Sequence, residues 1–129
     1  MNLLDRVLEN EGFESKPYRD HLGVLTIGHG ITFLTFEESK AITEGRLKEN
    51  IASLIAIYPW LVEHPQDVAG VVTEMSYQMG IKGVSAFVRM WAAIERGDYE
   101  DAAREGLDSL WATQTPERAE RLMDILRNA

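Results

Sequence analysis

The sequence predicts an α+β fold, with a small N-terminal lobe carrying an antiparallel β-hairpin sheet, a long connecting helix and an all-helical C-terminal lobe. Residues 17–32 contain short alternating segments around a turn-forming run. After that region, apolar residues recur at helical spacing between capping signals and Gly or Pro stops. The 129 residues, 45% of them hydrophobic, are enough for one domain with its own core.

The first helix is predicted over residues 3–11. Asn2 and Asp5 form an N-cap pattern ahead of leucines and a valine at helical spacing. Gly12 supplies the stop at the C-terminal end. Carboxylates and an arginine interrupt the apolar residues, so we do not expect a signal peptide here.

The hairpin is predicted next. Pro17 opens an extended segment, residues 20–23 form a turn, and the following residues alternate as a short strand. Gly28, Gly30 and Thr32 suggest a third, irregular strand.

Everything after the hairpin is predicted to be helical. Residues 35–38, Thr-Phe-Glu-Glu, form a capping box before a long connecting helix that Tyr58-Pro59 ends. The remaining helices are predicted from Pro65 to Gly80, from Val84 to Arg96, from Asp98 onward, and from Thr115-Pro116 onward. We therefore expect a single domain, 1–129, with an α/β lobe and connecting helix at 1–57 and a helical lobe at 58–129. A cleft between the lobes would suit a long polymer.

Composition excludes several classes of function. The chain has no cysteine, so it has no disulfide framework, thiolate nucleophile or cysteine zinc site. Its three histidines share no ligand spacing, and no metal or cofactor is expected. The net charge of −8 argues against nucleic acid as a partner. No stretch approaches 18 apolar residues, so we expect no stable membrane insertion. We also expect a monomer.

Three side chains in the N-terminal region could carry chemistry. Glu11 lies at the C-terminal end of the first helix, where the helix dipole favours the protonated acid, as a general acid requires. Asp20 opens the turn, and Thr26 lies on the following strand. Each also has an ordinary explanation: a surface glutamate, a turn-forming aspartate and a common strand residue. Two carboxylates and an aligned water are what glycosidic bond hydrolysis requires.

Taken together, the three residues and their neighbours favour the catalytic interpretation over the ordinary one. Glu11-Gly12 and Asp20, followed by the run Gly-Val-Leu-Thr-Ile-Gly-His-Gly-Ile-Thr at residues 23–32, resembles the signature of the phage-type lysozymes, the muramidases of glycoside hydrolase family 24. Residues 77–87 and 111–119 resemble that family's C-terminal lobe. The resemblance implies a lysozyme-like fold in which Glu11 is the general acid, Asp20 assists the attacking water or the developing positive charge, and Thr26 holds that water.

The resemblance also implies residues outside the catalytic set. Thr32, Tyr77 and Glu105 would line the sugar cleft, and Arg118 would pair with Glu11. A cation beside Glu11 would oppose the effect of the helix end, so the net effect on that carboxyl stays open. The segment between Thr32 and the next helix is short compared with relatives, and no final helical extension follows. These departures affect the substrate contacts, not the catalytic pair.

We therefore expect an inverting lysozyme that cleaves the β-1,4 bond between N-acetylmuramic acid and N-acetylglucosamine in peptidoglycan. The resemblance suggests an endolysin made in the host cytoplasm and released to the wall through a holin-type membrane lesion. Two alternatives remain: a wall-penetrating lysozyme of a phage tail, and a catalytically inactive lysozyme-like interaction domain.

Overall fold

The computed structural model describes residues 1–129, and the fold is α+β, as the sequence predicts. Along the chain, the two strands of one antiparallel sheet follow the first helix and precede a series of helices. The elements in chain order are α1 (Leu3–Glu11), β1 (Glu14–Arg19), β2 (Leu25–Gly28), α2 (Phe36–Ile57), a 3-10 helix (Pro59–Glu63), α3 (Gln66–Ser85), α4 (Val88–Glu95), α5 (Tyr99–Leu107), α6 (Leu110–Gln114) and α7 (Pro116–Arg127).

The chain forms two compact units, Met1–Ile42 and Thr43–Ala129, and α2 belongs to both. The first unit contains α1 and the hairpin, and the second contains the remaining helices. None of the helices is both long and apolar enough to cross a membrane.

Local hydrogen bonds explain where the elements begin and end. The Asn2 side chain accepts a hydrogen bond from the Asp5 amide and starts α1, and Gly12 ends it with φ 68°. At the start of α2, the Glu38 amide donates to Thr35 Oγ1 at 3.1 Å, and the Thr35 amide donates to Glu38 Oε1 at 3.0 Å. The predicted N-cap and capping box are therefore confirmed.

The predicted third strand is wrong. Ile27 and Ile31 exchange two backbone hydrogen bonds of 2.8 and 2.9 Å and form one isolated bridge. Gly28 and Gly30, with φ of 64° and 73°, turn the chain tightly between these two residues. A glycine at every second position resembles strand alternation in the sequence. Here the glycines supply a left-handed turn that other residues rarely adopt.

The predicted helices of the C-terminal region are largely confirmed. Gly80 interrupts α3 with φ 82°, where the sequence predicts a stop. The Asp101 amide donates to Asp98 Oδ1 at 3.0 Å and caps α5. Three details differ: α4 begins at Val88 rather than at Val84, and the 3-10 helix at Pro59–Glu63 and the short α6 are absent from the prediction.

The apolar core lies within residues 43–129. Ala102 and Ala103 on α5 are completely buried, and so are larger side chains of the neighbouring helices. Gly106 on α5 leaves room for the sulfur atoms of Met90 and Met123, which lie against its backbone. The largest apolar side chains that are almost completely buried in this core are Leu54, Leu61, Met75, Met90, Ile94, Met123 and Leu126. Residues 43–129 therefore contain a close-packed interior of their own.

Truncation inside this core should be costly. Met75 is completely buried, so Met75→Ala should lower the free energy of unfolding by about 2–5 kcal/mol. Glu74→Ala, one residue earlier on the exposed side of α3, should change it by less than about 0.5 kcal/mol. Urea denaturation of the two variants measures the difference. Equal stability of the two would contradict the assignment of Met75 to the core.

Candidate active site

Three predicted catalytic residues line one cavity of the N-terminal unit. The cavity has a volume of about 400 Å³ and contains Glu11, Asp20 and Thr26. Thr32, predicted to contact sugar, also lines it. The other lining residues are Tyr18, Arg19, His21 and Gly30. The structure therefore brings together the three side chains that are separated by up to fifteen positions in the sequence.

Glu11 is the last residue of α1 and is exposed. The Gly12 amide donates to the Leu8 carbonyl at 3.0 Å, and the left-handed backbone at Gly12 then directs the chain away from the helix axis. Glu11 is thus fixed in a helical backbone while its carboxyl projects from the helix end into the cavity. A carboxyl in that place can reach a ligand that enters from solvent.

Gly30 lies directly against the Glu11 carboxyl. A Cβ atom built on Gly30 would lie 2.9 Å from Glu11 Cδ, closer than real Cβ contacts. The φ of 73° at this residue is also one that favours glycine. The backbone conformation therefore favours glycine at this position, and a Cβ atom here would displace the Glu11 carboxyl.

The turn that carries Asp20 is held by its own carboxylate. Asp20 Oδ1 accepts hydrogen bonds from the Leu22 amide at 2.8 Å and from the Val24 amide at 2.9 Å. The backbone closes the same turn, since the Gly23 amide donates to the Asp20 carbonyl and the Asp20 amide donates to the Val24 carbonyl, each at 2.9 Å. One carboxylate oxygen is therefore used in the turn and Oδ2 is left for a ligand.

These contacts keep Asp20 ionised. The hydrogen bond from the Val24 amide is the largest cause that lowers the pKa of Asp20 below its ordinary value of 3.8. Partial desolvation opposes this shift, while the Leu22 amide and the nearby His21 add to it. Amide donors stabilise the charged form of a carboxyl group, so Asp20 is an anion throughout the neutral and weakly acidic range.

Thr26 is the one buried residue of the N-terminal unit, with 5% of its surface exposed. Its hydroxyl donates a hydrogen bond to the Val24 carbonyl at 2.9 Å. A hydroxyl has one proton and two lone pairs, so with its proton engaged Thr26 acts towards a ligand as an acceptor. A water molecule beside it would donate one of its protons to Oγ1.

Tyr18 is a cavity residue that the sequence analysis missed. It is the cross-strand partner of Thr26 in the antiparallel pairing of β1 and β2. Directly opposed residues have side chains on the same face of a sheet, which places Tyr18 in the cavity with Thr26. The register is irregular between Glu14 and Tyr18, where Pro17 has no amide proton to donate. Counting outward from a turn at residues 20–23 would pair Tyr18 with Leu25, one residue away from its observed partner, so the sequence alone did not indicate this pairing.

The other predicted substrate residues line different cavities of the C-terminal unit. Tyr77 lines an apolar groove of about 830 Å³ along α2, α3 and α7, with its hydroxyl 3.4 Å from Thr43 Oγ1. Glu105 lines a cavity of about 440 Å³ with Arg89 and Asp108. Arg118 is exposed on α7. Sugar contacts by Tyr77 and Glu105, and pairing of Arg118 with Glu11, stay predictions.

The sequence also matches a known family. Residues 8–124 match the sequence model of the family described as phage lysozyme. The chain belongs to the phage lysozyme family. The matched range contains Glu11, Asp20 and Thr26, as well as nearly all of the helical unit.

Three relatives extend the comparison. The pre-baseplate central spike protein of Enterobacteria phage T4 is 29% identical over an alignment of 160 positions, gaps included. This alignment covers 98% of this chain and 28% of the spike protein. Probable T4-type lysozyme 2 of Dictyostelium discoideum is 32% identical over 90 residues, covering 70% of this chain and 51% of the relative. Probable T4-type lysozyme 1 of that organism is 30% identical over 99 residues, covering 72% and 56%. The chain spans about half the length of these two lysozymes and about a quarter of the spike protein.

The hydrogen bonds at Asp20 predict its titration. Carbon-detected NMR of the Asp20 carboxyl should give a midpoint below 3.8. Because the folded pKa is lowered, ionised Asp20 stabilises the fold above its unfolded pKa, and this contribution is lost as the pH falls through the folded pKa. Val24→Pro, which removes the main amide donor, should raise the midpoint. A wild-type midpoint at or above 3.8 would contradict the described turn.

Proposed function

We propose that this protein is a glycoside hydrolase that cleaves the β-1,4 bond between N-acetylmuramic acid and N-acetylglucosamine in bacterial peptidoglycan. The observation that carries the proposal is the shared cavity of Glu11, Asp20 and Thr26 in a chain of the phage lysozyme family. An acid, an anion and a water-binding hydroxyl around one space are the groups that glycoside hydrolysis needs.

In the proposed reaction Glu11 is the general acid. Its protonated carboxyl donates the proton to the glycosidic oxygen as the bond between that oxygen and the anomeric carbon breaks. The electron pair of the bond goes to the leaving oxygen, which departs as a hydroxyl group. Positive charge develops on the sugar ring at the same time, and the carboxylate of Asp20 stabilises it.

Asp20 and Thr26 supply the water. One proton of the water is donated to Thr26 Oγ1, whose own proton is held by the Val24 carbonyl. The other faces the free Oδ2 of Asp20, whose Oδ1 is held by two amides. The water oxygen attacks the anomeric carbon, and the departing proton passes to Asp20. Exchange with solvent then returns the proton to Glu11 for the next cycle.

This division of roles predicts inversion at the anomeric carbon. Inverting glycosidases leave space for a water between their two carboxyl groups, and Thr26 has a task only if such a water attacks. The first sugar product should therefore have the α configuration, opposite to that of the β bond. Proton NMR of early digestion products shows which anomer forms first. An initial β anomer, or a covalent glycosyl adduct on Asp20 in the unmodified enzyme, would overturn this mechanism.

The role of Glu11 is tested by Glu11→Gln. The amide has no acidic proton to donate, so the rate at which purified cell walls lose turbidity should fall by about a hundredfold to ten-thousandfold. Glu9→Gln is the matched control, because Glu9 is an exposed glutamate on the same helix and does not line the cavity. Circular dichroism establishes that both variants are folded.

Two outcomes would count against the proposal. Substantial wall cleavage by Glu11→Gln would remove Glu11 from the reaction. Absence of cleavage by the wild-type protein, in solution and in a zymogram on purified walls, would favour the inactive interaction domain.

Gly30 is expected to position the general acid, and a pair of glycine variants tests this. Gly30→Ala and Gly23→Ala both place a side chain at positive φ, 73° and 78°, which costs about 1–2 kcal/mol of stability in each case. A Cβ on Gly23 meets no other group, whereas one on Gly30 displaces the Glu11 carboxyl. Gly30→Ala should therefore lower the cleavage rate by about tenfold or more, since small displacements of a catalytic group are costly. Gly23→Ala should retain the rate, and equal losses in both variants would show that only hairpin stability matters.

For the biological setting we propose host cell lysis by an endolysin that is synthesised in the host cytoplasm and reaches the wall after a holin-type lesion forms. The likeness to a pre-baseplate central spike protein favours a second setting, in which the domain serves a phage tail. Fractionation of a late infection distinguishes them. Activity free in the lysate supports host lysis, and activity that sediments with purified virions supports the tail role.

A further inference from the structure

A second, aromatic site lies in the C-terminal unit and shares no residue with the cavity around Glu11. We name it the aromatic pocket: a cavity of about 270 Å³ lined by Tyr58, Trp60, Ser85, Val88, Trp91, Ala92 and Glu95. Val88, Trp91, Ala92 and Glu95 recur at the spacing of one helical face, so α4 supplies one complete side of it. The volume is large enough for a small organic group.

The rings form two walls at a steep angle. Tyr58 stacks on Trp91 with centroids 3.6 Å apart and planes inclined by 10°. Trp60 stands across this pair, at 65° to Tyr58 and 75° to Trp91, with centroid distances of 5.8 and 6.1 Å. Trp91 is buried, with 4% of its surface exposed, so the ring surface that a ligand can reach belongs to the half-buried Tyr58 and Trp60.

Packing fixes the walls in place. The Trp91 indole Nε1 donates to the Val84 carbonyl at 2.9 Å. Trp60 is supported by His64, whose ring lies edge-on at 5.4 Å and whose Nδ1 is 2.7 Å from the Tyr99 hydroxyl. A pocket whose rings are already positioned loses little conformational freedom when a ligand binds.

The charge at the pocket is negative. Glu95 is exposed at the end of α4 and forms neither an ion pair nor a hydrogen bond with the protein. The neighbouring Arg96 is engaged elsewhere, since its guanidinium pairs with Asp101 and lies 3.9 Å from Asp98. The aromatic pocket therefore offers a free carboxylate and no free cation.

We infer that the aromatic pocket binds an organic ammonium group. Electron-rich rings attract a cation, and the partly exposed Tyr58 and Trp60 beside the Glu95 carboxylate offer an alkylammonium both interactions. This chemistry has two sources that the test below distinguishes, a lysine-type primary ammonium and a quaternary ammonium headgroup. Both present the same chemistry to this pocket, namely a positive charge carried on apolar carbon.

NMR titration of the whole protein tests the inference. The probes are n-butylammonium and tetramethylammonium, each compared with a neutral alcohol of similar shape, n-butanol and tert-butanol. The indole N–H signals of Trp60 and Trp91 should shift saturably with the ammonium ions, while the signal of Trp111, which is bonded to Gln78 outside the pocket, stays in place. Each ammonium should bind at least about threefold more tightly than its alcohol. Tighter binding of the primary ion indicates a lysine-type ligand, and tighter binding of the quaternary ion indicates a headgroup.

Variants identify the contacts. Glu95→Gln should weaken ammonium binding about threefold to fivefold and leave alcohol binding unchanged. Glu49→Gln, which alters an exposed glutamate on α2 away from the aromatic pocket, should have no effect. Trp60→Leu should weaken binding of both ions, with its fold checked by circular dichroism. No saturable shift, equal binding of ammonium and alcohol, or unchanged ammonium binding in Glu95→Gln would each overturn the inference.

Discussion

The contact between the Gly30 backbone and the Glu11 carboxyl is the constraint on which the proposed site depends. It joins the end of α1 to the turn that follows β2, with no room for a side chain between them. Gly30 follows the strand that carries Thr26, and β2 pairs with the strand before Asp20, so the Glu11 carboxyl lies in the same cavity as Asp20 and Thr26. A side chain at position 30 would displace the Glu11 carboxyl.

Within that frame, backbone hydrogen bonds assign different roles to the two carboxyl groups. Asp20 is held as an anion by amides of its own turn, and those amides engage only one of its oxygens. The Thr26 hydroxyl can only accept a hydrogen bond from a ligand, because it donates its own proton to the Val24 carbonyl. Glu11 lies on the end of a helix and accepts no hydrogen bond from the amides of that turn. In the proposed mechanism the hairpin supplies an anion and a site for water, and the helix supplies the acid.

Much of this could be predicted from the sequence because the responsible interactions are local. The cap at Asn2, the capping box at Thr35 and the stops at Gly12 and Gly80 each depend on residues within a few positions of one another. The family resemblance then indicated Glu11, Asp20 and Thr26 together. The third strand was wrong because alternate glycines fit either a strand or a left-handed turn, and only their φ values distinguish the two.

What could not be predicted depends on register or on packing between distant segments. Tyr18 enters the cavity through its pairing with Thr26, which requires the strand register to be known. The separate cavities at Tyr77 and Glu105 follow from how the helices of residues 43–129 pack, and the sequence holds no local signal for that packing. The aromatic pocket could not be predicted either. In the sequence, Trp60 and Trp91 look like ordinary core residues, and only the structure shows that their rings lie at 75° to each other.

The cleavage proposed for the cavity around Glu11 leaves N-acetylmuramic acid at each new reducing end. The chemical identity of these ends therefore tests it. Purified peptidoglycan is digested with the protein, reduced with borohydride and analysed by mass spectrometry. We expect N-acetylmuramitol at the new ends with the wild-type protein and none with Glu11→Gln. New ends of N-acetylglucosaminitol, or wild-type digestion without new reducing ends, would contradict it.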